Sequence, residues 1–175
     1  MKIIELNKNE YKDYELEYKY VTKFYYDVVI KKKKAIIISL KKKKLRKKVE
    51  KKFVDHLFQD YIVAPDVFGI FEKKKLIAVI ECSLDSWNNR YRIYNFLVDP
   101  RYRKMGYGTA LFKHVEEVAT KKGARAIVLE TQSCNDPAIS FYMKQGLHFI
   151  GLDTMCYSNN DIEQKEVRIE FGKRL

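Results

Sequence analysis

The sequence predicts a mixed α/β fold with one central twisted mixed sheet and helices on both of its faces. Short apolar runs suited to buried strands recur along the chain, and segments with the apolar spacing of amphipathic helices lie between them. A length of 175 residues suits a single domain with a real core, and 14 % aromatic residues exclude a disordered chain.

The N-terminal third predicts three strands followed by a helix. Alternation of apolar and charged residues indicates a strand over residues 16–20, and β-branched or aromatic runs indicate strands over residues 24–30 and 35–40. A helix is predicted over residues 44–59, because apolar side chains recur there at the spacing of one helical face. The residues that define this face are Leu45, Val49, Phe53 and Leu57, backed by Val54 and Phe58.

The rest of the chain alternates strands and helices. Residues 68–71 and 76–80 flank a charged turn and predict a hairpin. A strand over residues 91–98 ends at Asp99 and Pro100, since proline cannot continue a ladder. The further predicted elements are a helix from Gly106 to about Gly123, a strand over 126–130, a helix that begins at Asn135, and strands over 147–157 and 167–171.

Basic residues are concentrated in the segment 31–52, where Glu50 is the only acid. The net charge of +12 admits a nucleic acid, an anionic membrane or an anionic ligand as partner. The segment lacks the interleaved aromatics and glycines of single-strand binders, and its charge is mainly lysine, whereas base reading favours arginine. We therefore favour a solvated face, with steering of an anionic cofactor as another interpretation, and expect no nucleic-acid partner.

No segment of the sequence indicates export, a membrane span or a metal. The N-terminus has no apolar signal region, and the longest apolar run, Ala35–Ile38, is too short for a bilayer. Cys82, Cys134 and Cys156 show no metal-ligand spacing, and neither do the histidines. We expect a cytoplasmic protein with reduced thiols, no membrane partner and no metal, either monomeric or homodimeric.

A glycine-bearing loop, Arg103-Lys-Met-Gly106-Tyr-Gly108-Thr109, joins the strand that ends at Val98 to the next helix. The first turn of a helix presents unpaired N–H groups and a positive dipole end, so such a loop suits a phosphate or pyrophosphate. The P-loop and the dinucleotide fingerprint are excluded, because the loop lacks Gly-Lys-Ser/Thr and has Leu111 where a third small residue is needed. A glycine-softened loop before an ordinary helix is the alternative.

Two motifs in this order resemble the GNAT superfamily of N-acetyltransferases: Arg103-x-x-Gly106-x-Gly108 and Asn135-x-x-Ala138-x-x-x-Tyr142-x-Lys144-x-Gly146. The resemblance covers roughly residues 67–155. It implies a single GNAT-like domain over residues 1–175, with a variable part at 1–66 and the acyl-CoA-binding and catalytic part at 67–175. Trp87-Asn-Asn and the segment Leu129-Glu-Thr-Gln132 look most like the streptothricin-acetyltransferase branch.

The resemblance implies acetyl-CoA as co-substrate. Its pyrophosphate would lie on the N–H groups of residues 105–109, and its pantetheine would run along the strand before the loop. The implied acetyl-CoA-binding residues are Leu97, Val98, Arg103, Lys104, Met105, Gly106, Tyr107, Gly108, Thr109, Asn135, Ala138 and Tyr142. For Asn135, the alternative role is a plain helix cap, and both roles are compatible.

Acetyl transfer needs a proton for the departing thiolate and a base for the amine. By the second motif, Tyr142 matches the tyrosine that protonates the thiolate, and packing between helix and sheet is its alternative role. Arg92 stands where many family members carry a glutamate, so Glu81 and Glu130 are the candidate bases. For each of them, binding of a cationic substrate or a structural ion pair is the alternative role. Asp85, Trp87 and Tyr94 are the candidate acceptor-binding residues, although core packing is favoured for Trp87.

The sequence therefore predicts an acetyl-CoA-dependent N-acetyltransferase that transfers the acetyl group directly to an amine. A small molecule such as a streptothricin-like antibiotic is the first expectation for the acceptor, and a protein or peptide amine is the next. A basic nucleic-acid-binding module and a non-catalytic acyl-CoA sensor are the alternatives from other classes.

Overall fold

The computed structural model of the protein describes residues 1–32 and 34–175. The described chain divides into two compact units, and each is presented here by itself. The first unit comprises residues 1–19, 52–129 and 172–175, and the second comprises residues 20–51 and 130–171. The expectation of one domain over residues 1–175 stays a prediction.

Strands and helices alternate along the chain as follows. The strands are β1 (Ile4–Glu5), β2 (Glu15–Lys32), β3 (Ile36–His56), β4 (Asp66–Glu72), β5 (Lys75–Asp85), β6 (Arg90–Val98), β7 (Ala126–Gln132), β8 (His148–Asp153) and β9 (Arg168–Arg174). The helices are α1 (Lys8–Tyr11), α2 (Tyr107–Lys121), α3 (Asp136–Lys144) and α4 (Asp161–Gln164), with a short 3-10 helix at Pro100–Tyr102.

The strands form a mixed sheet. Within the described residues, seven strands follow the order β1-β4-β5-β6-β7-β9-β8, and β2 pairs with β3 in a two-stranded sheet. The pairings β4–β5 and β5–β6 are antiparallel, whereas β6 and β7 are parallel. A parallel connection needs a crossover, and the chain between β6 and β7 contains α2. The prediction of a mixed α/β fold with a central mixed sheet is confirmed.

The core of the first unit lies where β4, β5 and β6 pack against α2. The helix buries Leu111, Phe112, Val115 and Ala119, which recur at helical spacing on one face. A second cluster gathers the start of the chain and the loop after β3; its buried members are Leu6, Leu16, Leu57, Phe58, Val67 and Val79. Burial of these side chains stabilises the unit by about 1.5–3 kcal/mol for each large one.

The second unit contains most of the β2–β3 hairpin, α3 and β8. Tyr20 and Tyr25 of β2 are buried together with Cys134, and Leu45 of β3 packs against them. The hydroxyl of Tyr20 donates to Gln132 Oε1 at 2.7 Å and lies 3.3 Å from the Cys134 sulfur. Both partners stand just before α3, so the hairpin is fixed to the segment that carries the second sequence motif.

The helix predicted over residues 44–59 is wrong, because residues up to His56 continue strand β3. The misleading signal was the spacing of four between Leu45, Val49 and Phe53. Since four is an even number, the same residues share one face of a strand, where the period is two. Leu45 and Val49 are indeed partly covered, whereas most of the lysines between them are exposed.

Other boundaries differ from prediction in length. The strands predicted at 16–20 and 24–30 are one continuous strand, β2, and the strand predicted over 147–157 ends at Asp153. Asp161 begins the one-turn helix α4, between the strands predicted over 147–157 and 167–171. These differences follow from the weak local signals that mark strand ends.

The basic segment runs mainly along β3 with most of its lysines exposed, although Lys33 lies outside the described residues. Lys43 pairs with Asp27 at 2.6 Å, Lys42 pairs with Asp136 at 2.5 Å, and Lys51 pairs with Glu166. Surface pairs of this kind contribute about 0–1 kcal/mol each. None of the helices in the described part of the chain is long and apolar enough to cross a membrane.

Two glycines in strands test the packing of the sheet. A Cβ at Gly69 would lie 2.7 Å from Leu76 Cδ1 and 3.2 Å from Leu6 Cδ2, whereas a Cβ at Gly151 would meet only Glu170 Oε2, at 3.6 Å. We predict that Gly69→Ala lowers the free energy of unfolding by about 1–2 kcal/mol through overpacking. Gly151→Ala should leave it unchanged or raise it by about 0.5 kcal/mol, because the unfolded chain loses freedom. Urea unfolding of both variants checks this, and equal losses would contradict it.

Candidate active site

The glycine-bearing loop is shaped by its ends. Asp99 accepts the N–H of Arg101 at 3.0 Å and thereby caps the short 3-10 helix. Lys104 and Gly106 then adopt left-handed backbone conformations, with φ values of 65° and 89°. Gly106 is the N-cap of α2, and no side chain caps this terminus by a hydrogen bond. Helix geometry leaves the first-turn N–H groups without intrahelical partners, so residues 107–109 present donors at this end.

Arg103 is engaged by the protein backbone. Its Nε donates to the Val98 carbonyl at 3.0 Å, and its Nη2 donates to the Lys19 carbonyl at 2.7 Å. Burial lowers the pKa of this guanidinium from its usual value, although arginine stays charged in proteins. Arg103 therefore ties the loop to the end of β6 and to β2, whereas the positive charge of Lys104 is exposed.

Strand β6 carries a bulge at its centre. Asn95 pairs with Glu81 and Ile93 pairs with Cys82, so Tyr94 is the extra residue. The parallel register with β7 runs from Arg90–Ala126 to Arg92–Val128. The residues of β6 from the bulge onward lie beyond this register.

The direction of the β6 peptide groups follows from its pairing with β5. Asp99 donates its N–H to the Ile77 carbonyl at 2.8 Å, and N–H groups alternate in direction along an antiparallel strand. The N–H of Leu97 therefore points toward β5. The N–H groups of Phe96 and Val98 point to the opposite edge, which is the edge that pairs with β7 earlier in the strand.

Glu81 is completely buried at 0 % exposure, and neutral groups hold both of its oxygens. Oε1 accepts the N–H of Phe58 at 2.7 Å, and Oε2 accepts the side-chain amide of Asn95 at 2.8 Å. Burial raises the pKa of the Glu81 carboxyl, the two hydrogen bonds oppose this rise, and the charge of Asp55 adds to it. The carboxyl is thus reached through Asn95 rather than directly by a ligand.

The predicted acceptor residues lie at the β5–β6 hairpin and its bulge. Asp85 ends β5 and pairs with Arg92 at 3.4 Å. Trp87 stands in the turn and is 84 % exposed, so the favoured expectation of core packing is wrong for this residue. The bulged Tyr94 faces Tyr61, with ring centroids 6.2 Å apart. An indole exposed to this degree offers a surface for stacking.

In the second unit, Asn135 caps α3 by accepting the N–H of Ala138 at 3.3 Å, so its expected capping role is confirmed. Tyr142, further along α3, is 9 % exposed, and its ring lies 6.4 Å from that of Phe171. Burial raises the pKa of Tyr142 to about 12. The phenol therefore keeps its proton at neutral pH and can serve as a donor.

Glu130 is the more accessible of the two candidate bases. Its side chain is 38 % exposed, and its Oε2 lies 2.5 Å from Nη2 of Arg168. Arg168 also donates to Glu170 at 2.7 Å. Among residues 1–32 and 34–175, no group of three or more histidine, cysteine or acidic side chains could hold a metal ion.

The sequence model of the acetyltransferase (GNAT) family matches residues 36–147 of this chain. The chain belongs to this family. The match includes the bulged strand, the glycine-bearing loop, α2 and the second motif, and it confirms the predicted resemblance.

Individual relatives of this GNAT protein carry streptothricin in their names. Streptothricin acetyltransferase of Streptomyces lavendulae is 36 % identical over 81 residues, which are 46 % of this chain and 43 % of the relative. The chain thus spans less than half the length of this curated relative. The predicted likeness to the streptothricin-acetyltransferase branch is confirmed by this match.

Two solved structures share the fold of this GNAT protein over nearly its whole length. A nourseothricin acetyltransferase superposes with a TM-score of 0.78 at 21 % identity and covers 99 % of this chain and 97 % of its own. A putative streptothricin acetyltransferase of Bacillus anthracis, in complex with acetyl coenzyme A, gives a TM-score of 0.75 at 24 % identity and covers 99 % and 96 %. The likeness therefore includes the N-terminal third.

Sequence reasoning missed Tyr18, Asn95 and Phe96 of this GNAT protein. The Tyr18 hydroxyl donates to Asn95 Oδ1 at 2.8 Å and accepts the N–H of Phe96 at 3.2 Å. One signal was available, because asparagine is disfavoured inside a strand and Asn95 interrupts an aromatic and apolar run. The partner in β2 could not be found, since it is far away in the sequence.

The raised pKa of Glu81 predicts a pH-dependent stability. The native state keeps the Glu81 proton at pH values where the unfolded chain has lost it, so stability falls as pH rises from the usual value of 4.5 through the raised pKa. We predict that the stability of Glu81→Gln relative to the wild type increases over this window and is constant on either side. Urea unfolding at a series of pH values measures it, and a constant difference throughout would contradict the shift.

Proposed function

We propose that the protein is an acetyl-CoA-dependent N-acetyltransferase that acts by direct transfer to an amine. The observation that carries this proposal is the edge of β6 beyond its register with β7. Phe96 and Val98 direct N–H groups to this edge, and the loop that follows leads into the N-terminus of α2. A strand edge followed by a helix N-terminus suits a ligand with an amide-bearing arm and a diphosphate.

Acetyl-CoA has both of these parts. In the proposal, its diphosphate binds the N–H groups of residues 105–109, and Lys104 adds a positive charge. The pantetheine runs along β6, where the peptide groups of Val98 and its neighbours bind its amides. The N–H groups at this edge also polarise the thioester carbonyl and stabilise the oxyanion that forms on attack. No metal takes part.

We propose a small cationic amine, of the streptothricin class, as the acceptor. The relative from Streptomyces lavendulae and the two solved structures support this class by their names, and the structures match the N-terminal third as well. Asp85, Trp87 and Tyr94 are the proposed acceptor-binding residues, because they combine a carboxylate with aromatic surface near the bulge. A protein amine as acceptor is the alternative that the experiment below distinguishes.

Tyr142 is the proposed general acid. It occupies the tyrosine position of the second motif, and its raised pKa keeps the hydroxyl protonated until the thiolate departs. In the transfer, the amine nitrogen bonds to the acetyl carbon and loses one proton to the base, the carbon–sulfur bond breaks, and the thiolate takes the proton of Tyr142. Tyr142 then regains a proton from solvent. Because a thiolate is a good leaving group, loss of this proton donor slows the reaction without abolishing it.

Glu130 is the proposed base. Its carboxylate is partly exposed, whereas Glu81 is buried and both of its oxygens are occupied. An amine or a bridging water can therefore approach Glu130, and Arg168 must share this carboxylate while the proton arrives. Asn135 and Ala138 are proposed to contact the pantetheine arm, in addition to the cap that Asn135 forms.

Thiol release is the direct test. Wild-type protein with acetyl-CoA should release free thiol when a streptothricin is added, and less with peptides that offer an N-terminal amine or a lysine. Faster thiol release with a peptide than with a streptothricin would indicate that the acceptor is a protein amine. If acetyl-CoA raises the melting temperature but no amine causes thiol release, the protein binds acetyl-CoA without transferring the acetyl group, and the proposed enzymatic activity is wrong.

Two glycines at opposite ends of α2 form a matched pair for donor binding. Gly106 and Gly123 have φ values of 89° and 70°, and a Cβ at either would meet no atom within 4 Å. Alanine at each should therefore cost about 1 kcal/mol of stability through backbone strain alone. We predict that only Gly106→Ala weakens acetyl-CoA binding, by about tenfold or more in calorimetry. Equal affinities of the two variants for acetyl-CoA would show that the glycine-bearing loop does not bind the donor.

Tyr142 and Glu130 are distinguished by their pH profiles. We predict that Tyr142→Phe lowers kcat by about 10–100-fold, in the range of general acid catalysis. Glu130→Gln should lower kcat most at the acidic end, where less of the amine is neutral, and less at high pH. Measurement of kcat against pH for both variants checks the two roles, and a Glu130→Gln profile parallel to that of the wild type would exclude Glu130 as the base.

A further inference from the structure

A chain of hydrogen bonds crosses the bulge of β6 and links three strands of the first unit. Glu81 of β5 accepts the Asn95 amide at 2.8 Å, and Asn95 Oδ1 accepts the Tyr18 hydroxyl of β2, also at 2.8 Å. The Tyr18 oxygen in turn accepts the N–H of Phe96 at 3.2 Å. The chain therefore ends on a peptide group of the β6 edge.

When Glu81 is ionised, its carboxylate gives this chain one direction. A carboxylate only accepts, so the NH2 group of Asn95 must face Glu81 and its oxygen must face Tyr18. Tyr18 then donates its single proton to Asn95, and its oxygen is left to accept from Phe96. Each group has one orientation, which holds the phenol in place against the strand.

The ring of Tyr18 is fixed as well. It stacks on Phe53 of β3, with centroids 4.6 Å apart and planes inclined by 4°. Its neighbour Lys19 offers the carbonyl to which Arg103 donates, and Arg103 also binds the Val98 carbonyl. Tyr18 thus contacts the edge of β6 at Phe96, and the Lys19 carbonyl is linked to the Val98 carbonyl through Arg103.

This arrangement lowers the stability of the folded protein compared with an apolar core at the same place. Glu81 is a carboxylate at 0 % exposure, Asn95 at 1 % exposure stands in a strand, and Phe58 donates to Glu81 from a left-handed backbone with φ of 57°. A bulky residue in that conformation costs about 1–2 kcal/mol, and apolar side chains would fill the same space more stably. Departures from local preference that occur together are typical of functional sites.

We propose that Tyr18, Asn95 and Glu81 are positioning residues for acyl transfer, which hold the edge of β6 in the position that bound acetyl-CoA requires. The inference rests on the proposed function and adds residues to the same site. These side chains neither give nor take the transferred proton. They act through the β6 edge, whose N–H groups stabilise the oxyanion.

The positioning depends on pH because Glu81 is titratable. Two titratable groups have charges that couple to Glu81: Asp55 of β3 and the thiol of Cys82, the next residue of β5. The other neighbours do not titrate, since Asn95 of β6 is an amide and Val67 of β4 is apolar. A protonated Glu81 becomes a hydrogen-bond donor, which allows the Asn95 amide to rotate and the direction of the chain to reverse. Activity should therefore decline as pH falls through the Glu81 pKa.

Tyr18→Phe tests the positioning, with Tyr11→Phe as its control. The Tyr11 ring packs against Phe71 in the same unit. We expect Tyr18→Phe to lower kcat about tenfold, the equivalent of one hydrogen bond, and to change the KM for acetyl-CoA less than about twofold. Tyr11→Phe should keep both constants. A purely structural Tyr18 would instead lower the melting temperature and leave kcat per folded molecule unchanged.

Glu81→Gln supplies a second readout, should Tyr18→Phe fold poorly. An amide in place of the carboxylate cannot accept two donors on two atoms, so Asn95 is expected to rotate and kcat to fall. The decline of wild-type kcat toward acidic pH should be weaker in this variant, because the group that titrates is absent. If Glu81 contributed to stability alone, the decline of kcat toward acidic pH would be the same in Glu81→Gln as in the wild type.

The outcomes separate the two proposals. A wild-type protein that releases no thiol with any amine overturns the enzyme and this inference with it. The positioning role alone is overturned under three conditions. The wild-type protein releases thiol, Tyr18→Phe keeps the wild-type kcat, and Glu81→Gln shows the same decline of kcat toward acidic pH as the wild type. Reduced kcat in Tyr18→Phe and a weakened limb in Glu81→Gln, with acetyl-CoA still raising the melting temperatures of both, support it.

Discussion

The first unit is organised by the point at which β6 ends its register with β7. The two strands pair only up to Arg92 and Val128, and the bulge at Tyr94 follows at once. Backbone groups beyond that point need partners from elsewhere. Tyr18 binds the N–H of Phe96 and Arg103 binds the carbonyl of Val98, so the interrupted ladder is partly completed by side chains. A strand edge held in this way is both ordered and able to receive an extended ligand.

The chemistry of the site follows from this constraint. The glycine-bearing loop begins where β6 ends, and Arg103 couples the two, because its guanidinium binds the last residue of the strand from within the loop. The carboxylate of Glu81 fixes the other side of the bulge through Asn95. Charged groups in the first unit therefore serve to place backbone donors. In the proposed complex, the charge that the diphosphate requires would come from the helix terminus and from Lys104.

Much of the fold could be predicted from the sequence, because most elements have strong local signals. Apolar runs bounded by turns gave β4 to β7, and helical spacing with Gly106 and Gly123 at its ends gave α2. The helix predicted over 44–59 failed since a spacing of four fits both periods, and lysine is compatible with either. The glycine loop and the second motif were visible as patterns. The polar chain at the bulge was not, because it joins Tyr18 to Asn95 across 77 residues.

A crystal structure of the protein with acetyl-CoA would test the central claim most directly. The account predicts that the pantetheine lies along the β6 edge with an amide bonded to the peptide of Val98, while the diphosphate sits on the N–H groups of residues 105–109. It also predicts that the Tyr18 hydroxyl keeps its hydrogen bond to the Phe96 N–H beside the bound thioester. Acetyl-CoA bound elsewhere, with this edge still closed by protein groups, would contradict it.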